Sequence, residues 1–316
     1  LERSVSPEQR AGFRGDIYFG KTARILNSLT DGGLAADANG VGDGNEVHLS
    51  QAYVQYMIPN VDIKLMAGLF QTLTGAEVID SPANFNISRS LLFTNAIPFE
   101  HLGVMVMKKY ESGIDWGLGL VNGWDPSNGP DLNNNKALHA HLGYGQDMWA
   151  LAVNGHYGSN DSVGDDSNQR GLLDVVLNLK PVDSFSMYVN ADFGWQQYDT
   201  SGAVLREPDD FWYGFAVAGR YAVTDRLGVG LRGEWLRDAE SEFFNPGGVA
   251  TLGERASVYE LTATVDYSLT ENLLARAEFR HDRGQLEDAS DRLFPGDKDT
   301  SGNSRQSNQQ TLAAEL

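Results

Sequence analysis

The feature that most constrains this chain is a two-residue alternation of apolar and polar side chains, repeated in segments of about 10 to 13 residues. From Phe211 to Tyr221, the odd positions are mostly large and apolar, whereas the even positions are mostly small and include Arg220. Such alternation places one set of side chains on each face of a β-strand. Because a tilted strand of this length can cross a bilayer, the pattern predicts a sheet with one lipid-facing side and one polar side.

Fourteen such segments follow one another along the chain. We place them near residues 13–25, 46–58, 61–71, 99–110, 113–123, 135–145, 147–158, 170–180, 184–197, 211–222, 226–238, 256–268, 272–284 and 304–316. Tight turns such as Thr224–Asp225 and Thr270–Glu271 alternate with long polar loops. A soluble β-sandwich has no reason to separate short and long connections so regularly, but an outer-membrane barrel does.

These observations predict an all-β fold: a transmembrane antiparallel up-and-down β-barrel of about 14 strands, with short periplasmic turns and long extracellular loops. Residues 1–316 are expected to form this single domain, located in the bacterial outer membrane. Because the chain starts at Leu1 without a charged n-region and apolar h-region, we expect that any signal peptide has already been removed.

Composition excludes several other classes of protein. No apolar run approaches the roughly 20 residues of a membrane-spanning helix. The absence of cysteine excludes disulfide frameworks and thiolate zinc sites. A formal charge of -19 argues against nucleic acid as a partner, since binding phosphates requires clustered Lys and Arg. The same charge favours cations over anions, although acids in distant loops are screened.

One stretch of sequence carries a resemblance to a known family. It comprises Gly68–Asp80 (GLFQTLTGAEVID), Ser81–Phe93 (SPANFNISRSLLF) and Ile97–Gly103 (IPFEHLG). This stretch resembles the β-barrel porin family called OmpL-like, and the resemblance implies an outer-membrane barrel. Barrels of this kind usually finish with an aromatic residue, whereas this chain stops at Leu316. Either further residues follow in the complete protein or the assembly signal differs.

The long connection over residues 72–98 is the candidate pore-constricting loop. Its apolar residues, notably Leu91, Leu92 and Phe93, make a solvated loop unfavourable. Folded into a pore, it would expose its polar side chains to permeating solutes. The side chains expected to face the solute are Glu77, Asp80, Asn84, Asn86 and Arg89. The alternative is a loop packed on the barrel mouth or on a neighbouring subunit, with Arg89 paired to Asp80.

Charged residues on the face opposite the apolar one are the candidate pore lining. They are Arg220, Arg232, Glu234, Glu260, Asp266, Arg276, Glu278 and Arg280. Opposed rows of acids and bases would create a transverse field that discriminates among ions. The alternative is that these groups neutralise each other inside a filled or plugged interior.

Other motifs do not indicate chemistry. His139 and His141 lie two residues apart on one strand face and could bind a metal with a third group, but without an evident carboxylate partner we interpret them as lumen or interface residues and expect no metal site and no cofactor. Loops rich in Asp, Asn and Gly, at 37–45, 125–135 and 161–168, offer oxygen atoms of the kind that bind calcium, but they do not match the EF-hand spacing, so we interpret them as solvated loops. No Gly-x-Ser-x-Gly elbow is present, so we predict that the protein is not an enzyme.

The predicted function is that of a porin: passive diffusion of small hydrophilic solutes or ions through a charged lumen. The alternative is a structural barrel that anchors or sheathes a partner protein, such as an electron-transfer or cell-surface component. Expected partners are outer-membrane lipid and lipopolysaccharide, the permeating solutes and, by analogy with diffusion porins, two further copies of the chain in a homotrimer.

Overall fold

The computed structural model describes residues 1–30, 47–124, 136–159, 169–197, 209–238, 256–286, 294–295, 305–306 and 308–315. The three loops rich in Asp, Asn and Gly, at 37–45, 125–135 and 161–168, lie outside these residues. Strands dominate the described chain. They are β1 (Glu2–Arg3), β2 (Ala11–Phe19), β3 (Val47–Ile58), β4 (Ile63–Gln71), β5 (Glu100–Lys109), β6 (Ile114–Val121), β7 (Ala137–Gln146), β8 (Trp149–Ser159), β9 (Gln169–Val182), β10 (Phe185–Gln197), β11 (Asp209–Ala222), β12 (Leu227–Asp238), β13 (Ala256–Thr270), β14 (Leu273–Leu286), β15 (Phe294–Pro295), β16 (Arg305–Gln306) and β17 (Asn308–Glu315).

Fifteen of these strands form one antiparallel sheet in which each strand pairs with the next along the chain. Its order runs from β1 to β14 and then to β17, whereas β15 and β16 form a separate pair. The predicted up-and-down architecture is confirmed, and the fourteen predicted segments correspond to β2–β14 and β17. Because β1 and β17 are the two ends of the order, the hydrogen bonds of the described residues leave the sheet open.

The predicted first strand, 13–25, is wrong beyond Phe19. Gly20 has a φ of 77°, which ends the extended backbone, and the helix α1 (Lys21–Thr30) follows. Ala23, Leu26 and Asn27 are buried along one side of this helix. Their helical spacing competes with the strand pattern, and the sequence interpretation missed it. No helix within the described ranges is long and apolar enough to span a membrane.

The two faces of the sheet differ in the way that the alternation predicts. On β13, the side chains of Leu261 and Val265 are 60% and 48% exposed, whereas Glu260 and Asp266 are 4% and 3% exposed. The apolar side chains therefore lie on the outside, and the charged ones are covered. An outward apolar face of this kind is stable in contact with lipid rather than with water.

The described chain divides into two compact units. Unit 1 comprises Leu1–Thr74, Pro98–Tyr144 and Val153–Gly171; unit 2 comprises Gly75–Ile97, Gly145–Ala152 and Leu172–Leu316. In unit 1, a hydrophobic cluster lies on the covered face of β4–β7. Its buried members are Met66, Phe70, Met105, Val121 and Ala137. That the whole chain acts as one domain stays a prediction.

Candidate functional site

In unit 2, the segment Gly75–Ile97 packs on the covered face of the sheet, and we call it the docked loop. It contains one 3-10 turn, Ser81–Ala83, and one π-helical turn, Leu92–Ala96. Leu92 and Ala96 are buried, and the Trp212 indole donates a hydrogen bond to the Ala96 carbonyl at 3.0 Å. The apolar content of the predicted loop is thus packed against protein.

Arg232 on β12 is the centre of the docking network. Its guanidinium is fully buried and donates to Glu77 of the docked loop at 2.8 Å and to Glu260 of β13 at 3.0 Å. Glu234, two residues further along the same face of β12, lies 3.4 Å from the guanidinium, and the register of β12 and β13 places Glu234 opposite Glu260. Removing one partner of a buried ion pair costs about 3–5 kcal/mol, so this network fixes the loop on the sheet.

Two carboxylates of the sheet hold backbone N–H groups of the docked loop. Glu234 accepts hydrogen bonds from the amides of Leu91 at 2.7 Å and Leu92 at 3.3 Å. Glu278 on β14 accepts them from Ile87 at 2.6 Å and Ser88 at 3.0 Å. Hydrogen bonds to a charged acceptor are stronger than neutral ones.

Two arginines of β14 hold carbonyl groups of the same loop. Arg276 donates to the carbonyls of Asn84 at 3.0 Å and Asn86 at 3.3 Å, and it also forms an ion pair with Glu315. Arg280 donates to the Arg89 carbonyl at 2.6 Å. Both signs of charge on the sheet therefore contact the loop, each through the backbone groups that complement it.

Six of the eight predicted pore-lining residues belong to this network, and the other two form a separate pair. Arg220 donates to both carboxylate oxygens of Asp266, at 2.8 and 2.5 Å, between β11 and β13. The Arg220 side chain is 34% exposed and that of Asp266 only 4%. Whether any of the eight lines a pore stays a prediction.

The five predicted loop residues occupy different environments. Glu77 and Asn86 are buried, and Asn86 donates to the Thr264 hydroxyl at 2.8 Å. The side-chain amide of Asn84 accepts a hydrogen bond from the Val78 N–H at 2.9 Å and donates one to the Val78 carbonyl at 2.8 Å. Asp80 is exposed.

Arg89 donates to the carbonyls of Ile79 at 2.6 Å and Ile87 at 3.0 Å. Its burial lowers the pKa of the Arg89 guanidinium, although an arginine remains charged at neutral pH. The Phe93 ring lies 5.7 Å from the guanidinium carbon. The side chain thus stabilises the fold of the docked loop itself.

Three functional contacts of the loop were missed at the level of sequence. Asp174 and Asn190 accept the amides of Gly75 and Ala76 at 3.0 and 3.1 Å, and the Tyr188 hydroxyl donates to Glu77 at 2.9 Å. All three side chains occupy covered positions of β9 and β10. The sequence did carry a signal for these contacts, because a polar side chain at an inward strand position indicates a polar partner on that face of the sheet.

Unit 1 contains a buried polar cluster that includes a serine and a histidine. The imidazole Nε2 of His48 lies 2.9 Å from Glu100, and its Nδ1 lies 2.7 Å from Asn27. The Ser50 hydroxyl donates to Glu100 at 2.5 Å. Because the hydroxyl donates to the carboxylate rather than to the imidazole, this is not the arrangement that activates a serine nucleophile.

Three other histidines of unit 1 lie together. His101, His139 and His156 come from β5, β7 and β8, and each offers a ring nitrogen within 4.8 Å of the other two. His141, the predicted neighbour of His139, instead contacts Asp115 and Asn154, both at 2.6 Å. The sequence pattern 139–141 therefore indicated only one member of the cluster.

Several solved structures share this fold. A trimer form of OmpT, an outer membrane protein of Vibrio cholerae, aligns with a TM-score of 0.55 and 12% identity, over 99% of this chain and 85% of that one. An anion-selective porin from Comamonas acidovorans aligns with a TM-score of 0.58 and 10% identity, over 96% and 79% of the two chains. At such low identity these likenesses support the fold alone.

A sequence comparison with curated proteins finds no match. The family model described as "Putative beta-barrel porin-2, OmpL-like" matches residues 3–316, which is nearly the whole chain. It confirms the resemblance first seen over residues 68–103, and membership of a porin family locates the protein in the bacterial outer membrane. This chain belongs to the OmpL-like family of β-barrel porins.

Proposed function

We propose that this protein is a non-enzymatic outer-membrane channel through which small hydrophilic solutes or ions diffuse passively. The observation that carries the proposal is the docked loop, held on the covered face of the strands by buried ionic contacts. In a porin, pore width and lining charge set which solutes pass. A loop fixed on the inner face narrows the passage by a constant amount, which is what a diffusion filter requires.

Asp80 is the loop residue best placed to meet solute. It is exposed, whereas Glu77 and Asn86 are buried in contacts with the sheet. The charged groups of unit 2 that hold the loop are already paired with loop atoms. In this proposal, solutes therefore contact the exposed side of the loop, and the buried charges hold the loop in position on the sheet.

The first experiment is a single-channel recording of the refolded protein in a planar lipid bilayer with symmetric salt. Discrete, stable current steps are the expected result. A salt gradient then gives a reversal potential, whose sign reports whether cations or anions are preferred. A folded protein that carries no current would contradict the channel and favour the anchoring or sheathing role for a partner protein.

The cysteine-free sequence allows a sharper version of this experiment. Asp80→Cys introduces a single thiol on the exposed side of the docked loop, and a bulky charged thiol reagent should lower its single-channel current. Asp225→Cys, on an exposed tight turn, is the matched control and should be modified without a change of current. Equal currents before and after modification of Asp80→Cys would contradict a constriction at the loop.

The partners follow from the two faces of the sheet. The exposed apolar side chains, such as Leu261 and Val265, are suited to contact outer-membrane lipid, and the strand ends to contact lipopolysaccharide. The OmpT neighbour described as a trimer form supports a homotrimer as the assembly to test. Light scattering of the detergent-solubilised protein distinguishes a trimer from a monomer by mass.

A further inference from the structure

We propose that His101, His139 and His156 form a binding site for one divalent transition-metal ion, of the class that includes Zn²⁺. The three imidazoles are 0%, 0% and 2% exposed, and their nearest ring nitrogens all lie within 4.8 Å of one another. Imidazole is a preferred ligand of zinc, copper, nickel and iron. Three histidines with one further position suit a tetrahedral ion.

Hydrogen bonding within the cluster points to a ligand. Five of its six ring nitrogens are buried without a hydrogen-bond partner among the described residues: Nδ1 of His101 and both nitrogens of His139 and of His156. A buried polar atom without a partner costs about 1–3 kcal/mol, so such atoms are rarely left unpaired. One ion would engage a nitrogen of each ring.

The sixth ring nitrogen fixes the orientation of one ligand. Nε2 of His101 lies 3.2 Å from the Thr72 hydroxyl. Histidines that bind metals usually donate their other N–H to an oxygen atom in this way, which leaves the opposite nitrogen for the ion. We therefore assign Nδ1 as the metal-binding atom of His101 and Thr72 as its positioning residue.

The strand register accounts for one of these contacts. His141 contacts Asn154 across β7 and β8, and in the same register His139 and His156, two residues further along, also lie across from each other. On the other side of His139, Gly119 of β6 is its paired residue, and Gly119 in turn pairs with Met105 of β5. His101 lies four residues from Met105 on β5, and its ring centre is 4.5 Å from that of His139.

The described residues around the cluster are mostly aromatic, with one cation, Arg170, whose guanidinium carbon lies 4.9 Å from the centre of the Trp124 ring. The rings of Phe70 and Trp124 contact His101 and His156, with ring centres 5.9 and 5.3 Å apart. An apolar surrounding excludes water that would compete for the ion. With Zn–N distances of about 2.0–2.1 Å, the nitrogens of a tetrahedral site lie about 3.4 Å apart. The present separations are within 4.8 Å, so ring rotation has to bring the nitrogens closer together by about 1 Å.

The test is metal binding by the full, untagged chain, since an affinity tag of histidines would bind the same ions. The protein is refolded in detergent after chelator treatment, and Zn²⁺ or Co²⁺ is added during refolding in one sample and afterwards in another. Equilibrium dialysis should give one tightly bound ion per chain. Co²⁺ should develop the intense visible absorption of a tetrahedral ion rather than the weak bands of the hydrated ion.

Two variants, each lacking one histidine, distinguish the site from adventitious binding. His139→Ala should weaken Zn²⁺ binding at least about 100-fold, since even the loss of a residue that only orients a ligand costs about 10–100-fold. His281→Ala removes a half-buried histidine of β14 in unit 2 and should leave the affinity unchanged.

Three results would overturn the proposal. They are wild-type protein that binds no stoichiometric ion in either sample, equal affinities of the wild type and His139→Ala, and a Co²⁺ spectrum typical of the hydrated ion. The wild-type measurements decide the question even if His139→Ala fails to fold. Because the readout is metal binding, it is independent of whether the protein conducts current.

Discussion

Two of the buried polar clusters among the described residues differ in how their polar atoms are paired. Around Arg232 in unit 2, side-chain charges are matched by carboxylates and by backbone groups of the docked loop. In the cluster of His101, His139 and His156 in unit 1, five ring nitrogens have no hydrogen-bond partner among the described residues. Both clusters are almost completely covered.

The two clusters differ because burying an ionic group costs more free energy than burying a neutral imidazole. A buried ionic group needs a partner of opposite charge, because desolvation costs several kcal/mol per ion. A neutral imidazole can be buried at a smaller cost, which allows nitrogens to remain available for a ligand. Each carboxylate of the unit 2 cluster thus has an ionic partner within the chain, although Oε1 of Glu234 accepts no hydrogen bond among the described residues. The unit 1 cluster has no such partners, and in our proposal an ion takes their place.

Arg232→Met should have the largest effect on stability. It leaves Glu77, Glu234 and Glu260 buried without their shared cation, so the free energy of unfolding should fall by about 3–5 kcal/mol. Denaturant unfolding in detergent, followed by tryptophan fluorescence, measures the change. Arg220→Met is the matched control: its partner Asp266 is buried, but the arginine is one-third exposed, so we expect a smaller loss.

Equal losses in these two variants would contradict the central role that we give to Arg232. If Arg232→Met lowers the free energy of unfolding but leaves the single-channel current unchanged, Arg232 contributes to stability and not to the width of the passage. The docked loop would then be held by its remaining contacts.

Zn²⁺ should stabilise the protein by an amount comparable to one such ion pair. At a concentration of 100 times its Kd, an ion that binds only the folded state adds about 2.7 kcal/mol to the free energy of unfolding. The same denaturant titration, with and without Zn²⁺, measures this increase. In His139→Ala the increase should disappear; a similar increase in that variant would place the ion elsewhere.

Gly230→Ala tests how closely the docked loop approaches the sheet. A Cβ atom at Gly230 would lie 2.9 Å from the Phe85 carbonyl oxygen, so the loop backbone must move, at a cost of about 1–3 kcal/mol. Gly233→Ala on the same strand meets nothing within 4 Å and should stay within about 0.5 kcal/mol of the wild type. Denaturant unfolding curves of the two variants measure the difference. If the curves coincide, the Phe85 carbonyl does not lie in close contact with Gly230 of β12.

Thr72→Val should have the smallest effect and sharpens the assignment in unit 1. The variant keeps the shape of the side chain but removes the hydroxyl that contacts His101. Zn²⁺ binding should weaken about 10-fold, or about 1.4 kcal/mol, while one ion still binds per chain. Thr94→Val, at an exposed threonine of the docked loop, is the control. An unchanged affinity in Thr72→Val would show that the hydroxyl does not orient the ligand.

The sheet could be predicted from the sequence because the alternation of side chains is local and continuous. It gave the strand positions to within a few residues, except where α1 follows Gly20. It also placed Arg232 and Glu278 on the covered face, since the side of a strand follows directly from the period of two.

Contacts between distant segments could not be predicted in the same way. Glu77 meets Arg232 across 155 positions of the sequence, and no period relates the two. The contact of His101 with His139 depends on the register of three strands, whereas the match of His139 with His156 follows from one tight turn. That last match was accessible to sequence reasoning but was missed.

The way in which the docked loop is held has a consequence for protein engineering and for divergence within the family. Glu234, Glu278, Arg276 and Arg280 bind peptide groups of the loop, and Arg276 also donates to one loop side chain, the Ser81 hydroxyl. Peptide groups are present whatever residue occupies a position. Substitution of an exposed loop residue should therefore leave most of the contacts between the loop and the sheet in place. If the loop filters solutes as we propose, changing a residue such as Asp80 should alter which solutes pass while the loop keeps its place.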